Sequence, residues 1–317
     1  MPPRPYRRFI TRPVVRRMVA PLQAWVERKK LTAPLYHRLM GWFDRLCANR
    51  WVQQRFFAQE VQLIRDFAQD IGLPPASFPD IIHASLRARC WREYLCTGFF
   101  FGSAAIWKTI AHVHGTEHAV TAHARGKGTL FIALHYLTGS IALLRQPLAG
   151  LPTPIEHFIA QNTQRADRAG PPEANAVGRG QDLLHALTVL RRNGAVGILL
   201  DGGRGQQAVT LPILGRATEI RPSFAHLALL SGAAVIPMHS QLDEQGYIQL
   251  HLHPPLQDDT AQSDTQRLDA LLEQAAAFWE RTCLAYPVSI QYFVMRGHLQ
   301  RPRWEAEPRP GEPLAPR

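Results

Sequence analysis

The residues with the clearest potential for acid–base chemistry lie in the stretch from Gly126 to Arg145, which contains a single histidine. His135 follows an apolar run, residues 129–134, whose composition and flanking turn predict a buried strand. Thr138 and Gly139 then have the pattern of a helix start, with Ser140 in its first turn. Reacting groups in α/β sheets gather at the carboxyl ends of strands. His135 is therefore a candidate general base, and a capping or half-buried histidine is an equal alternative.

A second candidate group follows another predicted strand, in the glycine-rich turn that begins at Asp201. Gly202 and Gly203 would let the backbone approach a ligand closely and present N–H groups to an anion. Arg204 would be suited to a phosphate or to a developing oxyanion. The alternative is an ordinary tight turn that carries a surface Asp–Arg pair.

Predicted strands and helices alternate along the chain from residue 110 onward, and these elements must position the candidate groups. The predicted strands are residues 110–113, 129–134, 155–160, 196–200, 233–238 and 248–252. The predicted helices are residues 117–124, 140–148, 181–192, 223–231 and 265–286. This alternation predicts an α/β fold with a mostly parallel central sheet covered by helices. Residues 35–70 and 81–107 have helical apolar spacing, which predicts a helical N-terminal region.

The chain has 317 residues, an apolar fraction of 46% and a net charge of +11, so it can bury a large core and favours an anionic partner. Charge alone leaves nucleic acid, an acidic lipid surface and an acidic carrier open. Residues 1–30 are basic and amphipathic, which favours a membrane-surface anchor; a solvated helix or a disordered arm is the alternative. The uncharged run 222–242 is interrupted by Pro237, so we predict no membrane-spanning helix.

The histidine and cysteine spacings give little support for a metal site. Two pairs, His112 with His114 and His251 with His253, each lie on one face of a predicted strand, but neither pair has an evident third ligand. The four cysteines have no zinc-site spacing. We therefore predict no metal and no cofactor.

Three stretches together resemble the lysophospholipid acyltransferase superfamily, and most closely the bacterial lipid A late acyltransferases. They read GKGTLFIALHY up to Tyr136, LRRNGAVGILLDGGRG over residues 190–205 and LPILGRATEIRPSFAHLALLSGAAVIP over residues 211–237. Their order and spacing agree with the family over residues 110–300. The resemblance implies a glycerol-3-phosphate acyltransferase-like fold with an acyltransferase domain at 109–300. The residues on either side are expected to form a membrane-docking region at 1–108 and a disordered tail at 301–317.

The resemblance also implies a mechanism in which a histidine and a carboxylate, spaced His-x4-Asp or His-x4-Glu, activate an acceptor hydroxyl. His135 matches the family histidine, but Ser140 occupies the position of the acid. A serine can orient the ring but cannot offset the charge of an imidazolium. Asp201 is the best substitute because it also ends a strand at the same edge, and Glu156 is a weaker one. The cleft-facing arginines of the family correspond best to Arg165 and Arg168.

The expected function is transfer of a fatty acyl group from an acyl-carrier-protein or CoA thioester to a hydroxyl or amine of a lipid or glycolipid acceptor. The expected partners are that thioester, the acceptor and an anionic membrane surface, with no nucleic acid. The expected location is peripheral, on the cytoplasmic side of the inner membrane. Because of Ser140, the alternative is a catalytically impaired relative that binds lipid or carrier protein.

Overall fold

A computed structural model describes residues 32–92, 109–137, 150–159, 179–201 and 208–305 of the chain. Within these ranges the N-terminal part is helical and the remainder combines a six-stranded sheet with helices and a two-stranded hairpin. The predicted α/β class, with a mostly parallel sheet and a helical N-terminal region, is confirmed.

The six strands of the main sheet lie in the order β1-β8-β7-β2-β4-β3. They are β1 (Ala111–His114), β2 (Thr129–Ala133), β3 (Ile155–Ile159), β4 (Ala195–Leu199), β7 (Ala234–Leu242) and β8 (Ile248–Leu252). All neighbouring pairs are parallel except β7 and β8, which are antiparallel. The sheet is therefore mixed, and β8 and β1 run opposite to the four other strands.

Strand β2 lies inside the sheet, paired with β4 on one side and β7 on the other, and every one of its side chains is buried. Helices cover such a strand on both faces, which explains why its sequence is continuously apolar rather than alternating. The covering helices are α5 (Thr116–Ala124), α6 (Arg179–Arg191), α7 (Ser223–Ser231) and α8 (Asp264–Ala285). The turn before β2 needs glycine at position 128, where φ is +80° and the Leu190 backbone is close.

The N-terminal helices are α1 (Ala33–Ala48), α2 (Arg50–Phe56), α3 (Ala58–Asp70) and α4 (Phe78–Cys90). A buried stripe on α1 at helical spacing, Tyr36, Met40, Phe43 and Cys47, packs this region together. Arg87 of α4 joins it to the sheet, because its guanidinium donates to the Asp243 and Glu244 carbonyls at 2.9 and 2.7 Å. None of the helices in the described ranges is both long and apolar enough to cross a membrane.

Four elements differ from the sequence prediction. The antiparallel hairpin β5 (Val209–Ile213) and β6 (Arg216–Ile220) and the helix α9 (Tyr292–Gln300) were not predicted. Strand β7 is longer than predicted and continues to Leu242. Residues after α9 also contact this hairpin: Trp304 N–H donates to the Gly215 carbonyl at 2.9 Å, and Arg303 forms an isolated β-bridge with Arg216.

The hairpin and the residues after α9 meet at a buried carboxylate. Asp70, at the end of α3, accepts hydrogen bonds from Arg216 at 2.5 and 3.0 Å, from His298 at 2.8 Å and from Arg303 at 2.8 Å. The side chain of Asp70 is buried, and the Arg216 guanidinium lowers the pKa of this carboxyl group. Asp70 therefore ties three parts of the chain to the N-terminal helices.

Candidate functional site

The register of two central strands brings a histidine and an aspartate side by side. Strands β2 and β4 are parallel neighbours in which Ala133 lies opposite Leu199. His135 and Asp201 each come two residues after that pair, and the Leu200 N–H donates to the Ala133 carbonyl at 2.8 Å beyond the strands. Both side chains therefore emerge at the carboxyl edge of the sheet, where α/β proteins place their reacting groups.

The two side chains form a direct hydrogen bond. The distance from His135 Nδ1 to Asp201 Oδ1 is 2.8 Å, and the His135 backbone N–H lies 3.1 and 3.0 Å from the two carboxylate oxygens. The Asp201 side chain is 1% exposed, whereas the His135 side chain is 24% exposed. A carboxylate only accepts, so Nδ1 carries the proton and the lone pair lies on Nε2.

Two buried groups near Asp201 resist ionisation. Burial raises the pKa of the Tyr136 hydroxyl and of the Cys283 thiol, and the nearby Asp201 charge acts in the same direction. Both groups are therefore neutral when Asp201 is ionised. A buried carboxylate bonded to a partly exposed imidazole can orient the ring and stabilise its protonated form, as in hydrolase triads.

The backbone around His135 is held by the segment just before α9. Gln291 N–H donates to the His135 carbonyl at 3.1 Å, and Gln291 Nε2 donates to the Tyr136 carbonyl at 2.9 Å. The Leu137 N–H donates to the Ser289 carbonyl at 2.7 Å. No sequence pattern predicts this role, because only tertiary contact between distant segments creates it.

One aromatic ring borders the exposed side of the histidine. The Phe293 ring packs edge-on against the His135 ring, with 4.8 Å between the centroids and an angle of 75°. Phe293 remains 46% exposed. It therefore presents an apolar surface beside the imidazole, of a kind that suits a hydrocarbon chain.

The remaining predicted site residues are placed as follows. Ser140, Arg165, Arg168, Gly202, Gly203 and Arg204 lie outside the described residues. Glu156, the weaker substitute for the acid, forms an ion pair with Arg192 instead of contacting His135.

The histidines that have zinc-like spacing along their strands meet across strands in the fold, where their rings stack. His114 of β1, His251 of β8 and His239 of β7 form a stacked row, which we call the histidine column. His253 Nε2 lies 2.8 Å from His239 Nδ1. Among the described residues no group of three or more His, Cys, Asp or Glu side chains has the arrangement of a metal site.

The sequence model of the bacterial lipid A biosynthesis acyltransferases matches residues 87–281, well over half of the chain. The chain belongs to this family. No curated protein matches the chain.

The acyltransferase is thus one of the lipid A type. Both members of the His135–Asp201 pair lie inside the matched range, whereas Gln291 and Phe293, which support and border the histidine, follow it. The arrangement has the two parts needed to remove a proton from a hydroxyl group, a base and an acid that stabilises its charged form.

Proposed function

We propose that the acyltransferase moves a fatty acyl group from an acyl-carrier-protein or CoA thioester to a hydroxyl or amine of a lipid or glycolipid, with His135 as the general base and Asp201 as its partner. The single observation that carries this proposal is the 2.8 Å bond between His135 Nδ1 and the buried Asp201 carboxylate. It supplies the carboxylate that Ser140 lacks and favours an active enzyme over a catalytically impaired relative.

In the proposed step, His135 Nε2 takes the proton from the acceptor hydroxyl as its oxygen attacks the thioester carbonyl carbon. The new C–O bond forms and the C–S bond breaks. The imidazolium then returns the proton to the leaving thiolate, so no co-reactant is needed. Asp201 lowers the free energy of the imidazolium because their hydrogen bond becomes charge-assisted at that stage.

The roles of the other predicted residues complete the proposal. Gly202, Gly203 and Arg204 follow Asp201 directly, so their backbone N–H groups and the guanidinium would stabilise the oxyanion or a donor phosphate. Arg165 or Arg168 would bind an anionic group of donor or acceptor. The enzyme would work at the cytoplasmic face of the inner membrane, where a lipid acceptor is present.

The test is an acyl-transfer assay with radiolabelled acyl-carrier protein, the purified full-length chain and detergent-dispersed acceptor lipids. His135→Ala removes the base, and we expect a loss of activity of about 10²–10⁴-fold. Asp201→Asn keeps the shape but removes the charge, and the analogous change in serine proteases costs about 10⁴-fold. Ser140→Ala should have a far smaller effect.

The matched controls are His226→Ala and Asp66→Asn, which change an exposed histidine and an exposed aspartate elsewhere. Transfer that survives His135→Ala would rule out the mechanism. If Asp201→Asn is harmless and Ser140→Ala is not, the acid role belongs to position 140. A marked gain in Ser140→Glu would instead indicate that the natural enzyme has lost most of its activity.

A further inference from the structure

The outward face of helices α1 and α2 carries exposed aromatic rings between arginines. Arg38, Trp42 and Arg45 follow one another at steps of four and three residues, on the side of α1 opposite its buried stripe. The face continues into α2 with Arg50, Trp51 and Arg55, since residues 48–51 are all exposed. We call these six residues the Trp–Arg face.

The aromatic side chains of this face are unusually open to solvent. Trp42 is 51% exposed and Trp51 is 64% exposed, and the neighbouring Phe56 packs edge-on against Trp51. Neither α1 nor α2 gains stability by leaving an indole in water, so exposed aromatic residues of this kind indicate a contact surface. Indole rings are enriched where an apolar phase meets water, because one part is apolar and the N–H remains hydrated.

The charge of the face has one sign. Arg38, Arg45, Arg50 and Arg55 form no ion pair with any described carboxylate. The single acid between residues 33 and 56 is Asp44, and it lies against His83 and Arg87 of α4. The four guanidinium groups are therefore available to phosphate groups, which arginine binds in a bidentate manner.

We propose that the Trp–Arg face docks the enzyme on an anionic phospholipid surface, with both indoles at the headgroup level and the arginines on lipid phosphates. The inference rests on the proposed function in requiring a lipid acceptor, and it assigns the docking to the described helices rather than to residues 1–30 alone. Tryptophan is enriched at the headgroup level of membranes, and arginine close to an anionic leaflet is attracted to its lipids.

The experiment is co-sedimentation of the full-length protein with vesicles of phosphatidylcholine, with and without phosphatidylglycerol. Each arginine near an anionic surface strengthens partitioning by about fivefold, so Arg38→Gln/Arg45→Gln should weaken binding to the anionic vesicles by about 10- to 30-fold. Trp42→Ala/Trp51→Ala should weaken binding to both kinds of vesicle. The matched controls Arg191→Gln and Leu230→Ala, which are exposed elsewhere, should change neither.

Unchanged vesicle binding in both double variants would overturn the proposal. So would a dimer of the wild-type chain that the double variants abolish, or loss of binding to acyl-carrier protein with vesicle binding intact. An assay of acyl transfer to detergent-dispersed acceptor distinguishes failure of the docking proposal from failure of the proposed function. We expect the double variants to retain that transfer, whereas a wrong function would leave the wild-type chain inactive in detergent and still able to bind vesicles.

Discussion

Mild acid should destabilise this protein through the histidine column. The rings of His114 and His251 stack at 4.5 Å, those of His251 and His239 at 4.6 Å, and the Tyr286 ring continues the stack on His239 at 4.2 Å. Nε2 of both His239 and His251 is buried without a hydrogen-bond partner. Protonating either ring would place an unpaired charge in the interior, next to other imidazoles.

The size of the effect follows from the pKa values. Burial, reinforced by the neighbouring histidines, lowers the pKa of His239 to about 3 and that of His251 to about 4, from 6.5. Below pH 6.5 these two histidines bind protons in the unfolded chain but not in the folded chain, so the free energy of unfolding falls as the pH falls. Each histidine contributes a slope of about 1.4 kcal/mol per pH unit, so the pair should cost on the order of 3–4 kcal/mol between about pH 7 and pH 5.

Burial also lowers the pKa of His253, which is bonded to His239, and the charges of Arg281 and His118 act in the same direction. It should therefore steepen the same slope. Asp70 and Asp258 have lowered pKa values as well, but carboxylates of this kind lose their stabilising effect only below about pH 4. The two groups of residues thus act in separate pH ranges.

The assay is urea unfolding followed by circular dichroism at a series of pH values. The variant His239→Gln/His251→Gln replaces the two rings with the largest shifts, and its free energy of unfolding should vary less with pH in this range. The control His226→Gln changes an exposed histidine and should keep the wild-type slope. A wild-type free energy that is flat between about pH 7 and pH 5, or an equal slope in the double variant, would refute the reasoning.

Three further outcomes test the fold and the support of the site. Asp70→Asn leaves Arg216 without its carboxylate, so calorimetry should show a loss of about 3–5 kcal/mol, whereas the exposed Asp66→Asn should change little. Gly128→Ala places a Cβ 2.5 Å from the Leu190 carbonyl oxygen at a residue with positive φ. Urea unfolding should show that this variant loses about 2–4 kcal/mol of its free energy of unfolding. Gly126→Ala, where φ is also positive but nothing lies near the new Cβ, should lose only about 1 kcal/mol. Gln291→Ala removes the bond to the Tyr136 carbonyl and should lower kcat by about tenfold at unchanged KM in the transfer assay. Gln300→Ala, at the far end of α9, should leave kcat unchanged. Equal effects in a variant and its control would contradict each of these arguments.

The sequence predicted the strands that carry the site because they are buried on both faces and read as continuous apolar runs. It also selected Asp201 as a partner for His135, since both residues end strands at one edge of a parallel sheet. The geometry of that pair needed the register between β2 and β4, which apolar runs do not encode. The hairpin over residues 209–220 is not predicted, because Pro212 and the turn at Gly215 interrupt the strand pattern.

The histidine column shows what a one-strand analysis misses. His112 and His114, and His251 and His253, were paired along their own strands as possible zinc ligands. In the fold the important neighbours lie across strands, His114 beside His251 and His251 beside His239. Strand order decides those contacts, and β8 joins β7 by an antiparallel pairing that alternation of strands and helices did not predict.

The contacts of Gln291 have a consequence for biosynthesis of the enzyme. The glutamine that holds the Tyr136 carbonyl is separated from it by 155 positions in the chain. A ribosome completes the β2 strand and its histidine long before it adds the segment that fixes them. The growing polypeptide therefore carries the proposed base before its backbone support exists, and we expect acyl transfer only after that late segment has been translated and has folded back.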